Sequence, residues 1–299
     1  MIAALGDAAL DVFTAPDLDA VEGSDVPGVV RVLPGGSAAN FAVWVARLGE
    51  HSTMIGAVGD DYAGNFLRAD LEREGVATYL RQVPAATAAI AVLVDSRGER
   101  TMITDRAAAL MLAPAMLEPP MLPPGCHLHL PAYSLFGEPL GGTAIEAAAR
   151  CRMGGGTLAI DTSSVGPLRT FGRERFLRVL DDLGPDLLFA NHAEAALLSG
   201  TEDPEHGSLL LQRYAPLVLW KLGADGVLAR GDTMVRLPGL SVLALDSTGA
   251  GDAFAAAFTV AHRRGVGLGA AAARANRLAA AVVQHIGARP RLDLHLEEE

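Results

Sequence analysis

Asp246-Ser247-Thr248-Gly249-Ala250-Gly251-Asp252-Ala253-Phe254 is the stretch on which the reading of the whole chain turns. Residues 242–245 before it are strand-like, and residues 253–264 after it form a good helix pattern with small side chains on several faces. The two glycines therefore fall where a strand passes into the N-terminus of a helix. Backbone N–H groups without helical partners and the positive end of the macrodipole make such a place a site for an anion. Gly249 and Gly251 let the backbone approach a ligand and take up unusual dihedral angles. A carboxylate at Asp252 would repel phosphate, so anion binding alone does not explain it. It makes sense facing a hydroxyl that must lose its proton while attacking phosphorus. The plainer alternative is a helix cap after an ordinary turn, and only the other segments decide.

Other nucleotide-binding patterns are missing. The chain has no GxxxxGK[ST] run and no HRD and DFG pair. The Gly249–Gly251 turn lacks the third glycine of a dinucleotide fingerprint and lies near the wrong end of the chain.

Outward from this turn, short apolar runs alternate with longer helical patterns, the mark of βαβ units around a largely parallel sheet. Strands are expected at 2–5, 52–57, 127–130, 157–160, 187–190 and 217–222. Helices are expected at 37–48, 62–74, 142–152, 192–198, 250–264 and 268–285, with Gly75 as a stop just past the second. Two stretches break the rhythm. Residues 12–33 carry no helical period, and residues 87–104 read as two strands joined at Ser96-Arg97-Gly98. They predict a small β-rich flap hinged over the main domain, against the alternative of two ordinary surface hairpins.

With 299 residues, 50% of them hydrophobic, the chain can bury a large core. A formal net charge of −11 argues against nucleic acid or an anionic membrane as partner. Lys221 is the only lysine. Cys126 and Cys151 show no zinc or redox spacing and read as reduced thiols. The N-terminus has no basic region ahead of an apolar one, and no apolar run approaches the ~18 residues of a membrane span. The expected setting is soluble and cytoplasmic.

A second glycine-rich segment, Pro34-Gly35-Gly36-Ser37-Ala38-Ala39-Asn40-Phe41-Ala42, followed by Val45-Ala46-Arg47-Leu48-Gly49, lies about two hundred residues before the first. Between them stand Asn191-His192-Ala193-Glu194 and Leu222-Gly223-Ala224-Asp225-Gly226. In this order the four segments resemble the ribokinase/PfkB family of carbohydrate kinases, over essentially the whole chain. The resemblance implies an α/β, ribokinase-like three-layer core with a mostly parallel central sheet and a small β-rich lid. It implies one kinase domain over residues 1–299, with the lid formed by insertions at about 12–34 and 86–105.

The resemblance also implies roles. Asp252 would be the general base, with the amides of Gly249, Ala250 and Gly251 stabilising the transferring phosphoryl group. Asp11, Gly35, Gly36 and Asn40 would hold the substrate's hydroxyls, Asp11 being expected at the end of the first strand, where open α/β sheets place ligands. Asn191 and Glu194, spaced i, i+3 at a helix start, would orient the hydrated Mg2+ that accompanies ATP. Lys221, Gly223 and Gly226 would border the nucleotide, and Asn276 its adenine. Lys221 replaces a more usual threonine and reads equally as a phosphate contact or as a strand-end residue in water. Asp246 and Thr248 match part of a K+ site found in many members. The lids of such kinases often pair, which implies a homodimer.

Arg106, in Arg100-Thr101-Met102-Ile103-Thr104-Asp105-Arg106, is the best specificity clue, because a guanidinium could pair with a carboxylate or bond several hydroxyls. That admits a keto-deoxy sugar acid, ribose, fructose or a nucleoside. Its structural alternative is pairing with a neighbouring carboxylate such as Asp105. The expected lid has no dense basic cluster, so a neutral sugar ranks ahead of a sugar phosphate. A nucleoside kinase of the same family is the second enzyme reading. A catalytically silent sugar-binding regulator should lack Asp252 or the glycines beside it, and this chain has both.

Overall fold

The alternation of apolar runs and helical patterns is realised in a computed structural model, which describes residues 1–16, 23, 25–94 and 100–292. Its first strands are β1 (Ile2–Leu5), β2 (Ala9–Pro16), β3 (Gly28–Gly35), β4 (Ser52–Gly59) and β5 (Ala77–Val83). Next come β6 (Ala89–Val94), β7 (Arg100–Asp105), β8 (His127–Pro131) and β9 (Thr157–Asp161). The last are β10 (Leu187–Asn191), β11 (Leu217–Lys221), β12 (Val227–Arg230) and β13 (Met234–Leu237). The α-helices are α1 (Ser37–Arg47), α2 (Tyr62–Arg73), α3 (Leu140–Met153), α4 (Val165–Phe171) and α5 (Arg173–Leu183). They continue with α6 (His192–Ser199), α7 (Pro204–Leu211), α8 (Ala250–Arg263) and α9 (Leu268–Val282).

Nine strands form one sheet in the order β13-β12-β11-β10-β9-β8-β1-β4-β5. Its pairs are parallel except β11–β12 and β12–β13. β1 and β4 are buried along their whole length, as a parallel sheet covered on both faces requires. On one face, Phe41 and Trp44 of α1, Leu67 of α2, Phe258 of α8 and Leu278 of α9 share a core. On the other, Ala144 of α3, Leu168 of α4, Phe176 of α5, Leu198 of α6 and Leu211 of α7 form a second. This is the three-layer, ribokinase-like arrangement.

The remaining strands build a separate sheet, β3-β2-β6-β7, from the two stretches that broke the helical rhythm. Its central pair, β2–β6, is parallel and the outer pairs are antiparallel. The joint at Ser96-Arg97-Gly98 lies outside the described residues, as do residues 17–22 and 24 of the first insertion and the tail after residue 292.

One expectation is corrected. Residues 242–245 form no strand; they run as an irregular loop with Leu243 and Leu245 largely exposed. The apolar run resembled a buried strand, but no neighbouring strand pairs with it, and the amide of Leu245 donates instead to the carbonyl of Val283 at 2.7 Å. Strand β5, the β12–β13 hairpin and helices α4, α5 and α7 have no counterpart among the expected elements. Cys126 and Cys151 are free, buried and adjacent, with sulfurs 3.5 Å apart. Among the described residues no helix is long and apolar enough to cross a membrane.

β8 carries an anomaly. His129 is fully buried and stacked on Phe41, ring centroids 3.7 Å apart, and neither ring nitrogen has a hydrogen-bond partner among the described residues. Burial, with Lys221 nearby, keeps the imidazole neutral, its pKa down to about 3. The unfolded chain takes up a proton here below about 6.5 and the folded chain does not, so this site costs stability as pH falls from there towards 3. Replacing a buried unsatisfied polar side chain by an apolar one of similar size is neutral or favourable. His129→Leu is therefore expected to raise the unfolding free energy by about 1 kcal/mol at pH 7.5 and by about 2 kcal/mol more at pH 5. Urea titrations of both proteins at the two pH values check it; a gap that does not widen at pH 5 contradicts it.

Candidate active site

The C-terminal edge of the large sheet opens into a cleft of about 620 Å³, bordered by Asp11 of β2, Ile90 and Val92 of β6 and Met102 of β7. Parallel sheets place ligands at this edge because the loops leaving it surround the exposed strand ends.

Two helix starts meet in the cleft. Gly249 caps the N-terminus of α8 at φ 74°, a left-handed conformation. A Cβ there would overlap the side chain of Ala288 and stand 2.6 Å from its Cα, so dihedral and space both require glycine. The first turn of α8 then presents Asp252. Gly36 caps α1 at φ 90°, where a Cβ would overlap the Asp7 carbonyl. That tight start brings the first turn of α1 against α8. The Ser37 hydroxyl donates to one oxygen of Asp252 at 2.6 Å, and the Asn40 amide donates to the other at 2.8 Å. Burial pushes the Asp252 carboxyl up to about 7, outweighing the two hydrogen bonds that favour its ionised form. The amide of Ala250 also makes a long 3.3 Å contact with the Ser247 carbonyl.

Asp11 stands within β2 of the small sheet and not at the end of the first strand, which stops at Leu5, so that placement is corrected. One buried oxygen of its carboxylate lacks a hydrogen-bond partner among the described residues. Burial raises its pKa to about 6, against the pull of Arg289. Gly35 is directly beneath this carboxylate: a Cβ on Gly35 would overlap it. Gly36 and Asn40 line the cleft, whereas Gly35 supports it from below.

Between the two ends of the cleft, Asn191 and Glu194 form a capping box at the start of α6. The Asn191 side-chain amide donates to Glu194 at 2.6 Å, its backbone N–H donates at 2.9 Å, and the Thr162 hydroxyl also donates to this carboxylate. Burial raises the Glu194 pKa, with Lys221 opposing. Lys221, at the end of β11, donates to Asp161 at 2.7 Å. Its ammonium also lies 3.4 Å from where a Cβ on Gly251 would be. Burial lowers the Lys221 pKa, but Asp161 and Glu194 outweigh it and hold it above the ordinary lysine range. The reading of Lys221 as a solvated strand end is thereby corrected: the side chain is mostly buried, and a carboxylate fixes it beside the glycine turn.

At the far end Gly223, Gly226 and Asn276 line the cleft with Leu240, Val242 and Val283. Asn276 donates to the Pro238 carbonyl at 2.9 Å. Thr248 reaches the cleft, while Asp246 is buried behind it. Asp246 accepts from the Thr248 amide at 2.9 Å, its hydroxyl at 2.6 Å and the Gly287 amide at 2.8 Å.

Arg106 is the residue that the structure does not bring in, and its expected role is corrected. Its guanidinium forms a bidentate pair with Asp7 at 2.9 and 2.7 Å and donates to the carbonyls of Phe136 and Tyr133, both at 2.9 Å. Four of its five N–H groups thus have acceptors, and it does not line the cleft. The partner is Asp7, not the neighbouring Asp105.

Sequence reasoning missed Ser37, Asp161 and Arg289; Tyr133, an aromatic that could clamp a nucleoside base, does line the cleft. Ser37 sits inside the glycine-rich segment, and Asp161 ends a β-strand at the ligand edge, so both left a signal. Arg289 left none.

A carboxylate beside a helix N-terminus, in a cleft bordered by a β lid, is the arrangement that phosphoryl transfer to a small alcohol requires. The chain matches the pfkB family carbohydrate kinase pattern over residues 1–293 and belongs to that family, whose members are ATP-dependent phosphotransferases. It is 35% identical over 267 residues to a fructokinase from Klebsiella pneumoniae, covering 84% of this chain and 81% of that protein. The crystal structure of adenosine kinase from Sinorhizobium meliloti superimposes with a TM-score of 0.89 at 27% identity, covering 99% of this chain and 97% of that one. Fructokinase from Vibrio cholerae, in a form with fructose, ADP and calcium ion bound, gives 0.80 at 26% identity over 96% of this chain and 94% of that one.

Proposed function

We propose that this sugar kinase phosphorylates a hydroxymethyl group of a small neutral sugar, ribose- or fructose-like, with Asp252 as general base. The observation that carries the reading is the grip of Ser37 and Asn40 on Asp252 across 215 and 212 residues of chain. It joins the two glycine-rich segments into one site, with the base beside the amides of Gly249, Ala250 and Gly251. Asp252 accepts the hydroxyl proton while the alcohol oxygen attacks the γ-phosphorus in line, and the amides stabilise the charge that moves onto the phosphoryl oxygens.

A neutral substrate follows from the charges. Arg106 is paired with Asp7, Lys221 with Asp161, and Arg289 with Asp70. The sugar end offers Asp11, Asn40 and Gly36, which suit hydroxyls and repel a second carboxylate. A nucleoside is the second reading. It is favoured by Ile90, Val92, Met102 and Tyr133, which together could pack against a base.

Mg2+ would ride on the ATP phosphates and be oriented through water by Asn191 and Glu194, supplying charge neutralisation. The oxygens of Glu194 already accept three protein hydrogen bonds, which fits contact through water better than direct ligation. K+ would be held beside the glycine turn by Asp246 and Thr248. Val30, Val32 and Ile103 on the outer strands of the lid are exposed, and covering them with a second copy's lid is the homodimer we propose.

The test is an ADP-release screen against neutral sugars, sugar acids and nucleosides, with and without potassium. Turnover only with sugar acids would overturn the neutral assignment. The base must be ionised to accept a proton, so kcat/KM should fall on the acid side with a limb near the Asp252 value of about 7. A profile flat from pH 8 to 5 would exclude Asp252 as the titrating base.

A further inference from the structure

We infer that Arg289 is a positioning residue for the catalytic base: it fixes which way round the Asn40 amide stands, and so keeps an N–H on Asp252. The two ends of an asparagine amide have nearly the same shape, and its neighbours decide the orientation. Arg289 Nε lies 2.7 Å from one end of the Asn40 amide. A guanidinium can only donate, so that end must be the oxygen. The NH2 is thereby turned to Asp252, where it donates at 2.8 Å.

The guanidinium itself is held on three sides. It donates to the Gly35 carbonyl at 2.8 Å and to Asp70 at 2.9 Å, with its side chain 4% exposed. Burial lowers its pKa to about 10, so it stays charged at neutral pH. The short segment that carries it is anchored at both motifs. The Ala288 carbonyl accepts from the Trp44 indole at 3.1 Å, and the Gly287 amide donates to Asp246 at 2.8 Å. One residue thus transmits the position of the C-terminal segment to the base at the start of α8.

If the Asn40 amide were free to turn over, its oxygen would face the Asp252 carboxylate and oppose ionisation. The other groups acting on Asp252 are Ser37, Lys221 and Arg289, which favour ionisation, and Asp161, which opposes it; Tyr133 lies close as well. Those apart from Arg289 remain in place when it is changed.

The inference rests on Asp252 being the base. Arg289→Lys keeps a cation near Asp70 but loses the fork. It is expected to reduce kcat/KM by about 10- to 100-fold and to move the acid limb upward by about half to one pH unit, because one hydrogen bond to the ionised carboxylate is no longer enforced. In a cycle with Asn40→Ala, the Arg289→Lys effect should largely vanish, since both act through one amide. An unmoved limb, or fully additive losses, overturns the inference. Should Arg289→Lys not fold, Asp70→Asn with Arg289→Met removes the buried pair together. Because Asp11 and Asp252 then also lose a nearby cation, the cycle with Asn40→Ala, in which the loss should still largely vanish, decides. The two failures are separable. Turnover surviving Asp252→Asn defeats the base reading, whereas an unmoved limb alongside an inactive Asp252→Asn defeats only the role of Arg289.

Discussion

Replacing Asp252 by asparagine is expected to lower kcat by ~10²–10⁴ while sugar affinity changes little. The substitution is nearly isosteric and can keep the local hydrogen bonds. The new amide can turn its oxygen to the Asn40 N–H and its NH2 to the Ser37 hydroxyl, which accepts as well as it donates. What it loses is the capacity to take a proton from the attacking alcohol. In the proposed site the sugar is held by Asp11, Gly36 and Asn40, which stay where they are. Stability should move the other way. Burial raises the carboxyl in the folded chain to about 7, so the ionised group destabilises the fold above its unfolded value of about 3.8, most fully once the pH passes the folded value. At pH 8 the variant should therefore melt at a higher temperature than the parent. Steady-state kinetics, direct sugar binding and a melting curve read the three outcomes. Retained turnover would remove Asp252 from the mechanism. A lost binding signal would mean that the carboxylate holds the sugar instead of activating it.

The parts legible in the sequence were those set by local chemistry. β1 was placed at 2–5 because a short apolar run ending at Gly6-Asp7 admits little else, and the structure has Ile2–Leu5. The start of α6 at His192 was legible because Asn191 and Glu194 are a capping pair in sequence as well as in space. What stayed hidden depends on distant partners. Arg106 looked like a cation awaiting a substrate, since nothing near it announces Asp7, 99 residues earlier. Arg289 meets Asn40 across 249 residues, Gly35 across 254 and Asp70 across 219, and no periodicity records such a meeting. Residues 242–245 misled for the converse reason. Their apolar pattern was real, but two of the four, Val242 and Ala244, line the cleft and none enters a sheet.

Lys221→Met is expected to cost kcat ~10²–10³, the scale of removing one preorganised donor from an anion site, with a smaller effect on KM for ATP. The ammonium lies 2.7 Å from Asp161 and beside Gly251, next to the place where the proposed anion hole of α8 amides would hold the phosphoryl group. A cation there attracts the substrate's phosphates too, but its larger effect falls on the transition state, when charge is spread over the transferring oxygens. Removing it also leaves Asp161 uncompensated near Asp252. Like charges oppose ionisation, so the acid limb should rise above its starting point near 7. The two effects can be separated by the double variant Lys221→Met, Asp161→Asn. Neutralising Asp161 should return the limb towards the parent value, yet kcat should stay low because no cation faces the phosphoryl group. If the double variant regains both, Lys221 acts only by neutralising Asp161 and makes no contact in the transition state. If neither variant departs from the parent, the lone lysine has no part in the chemistry, and the charge on the phosphoryl group is met by the backbone amides and the metal alone.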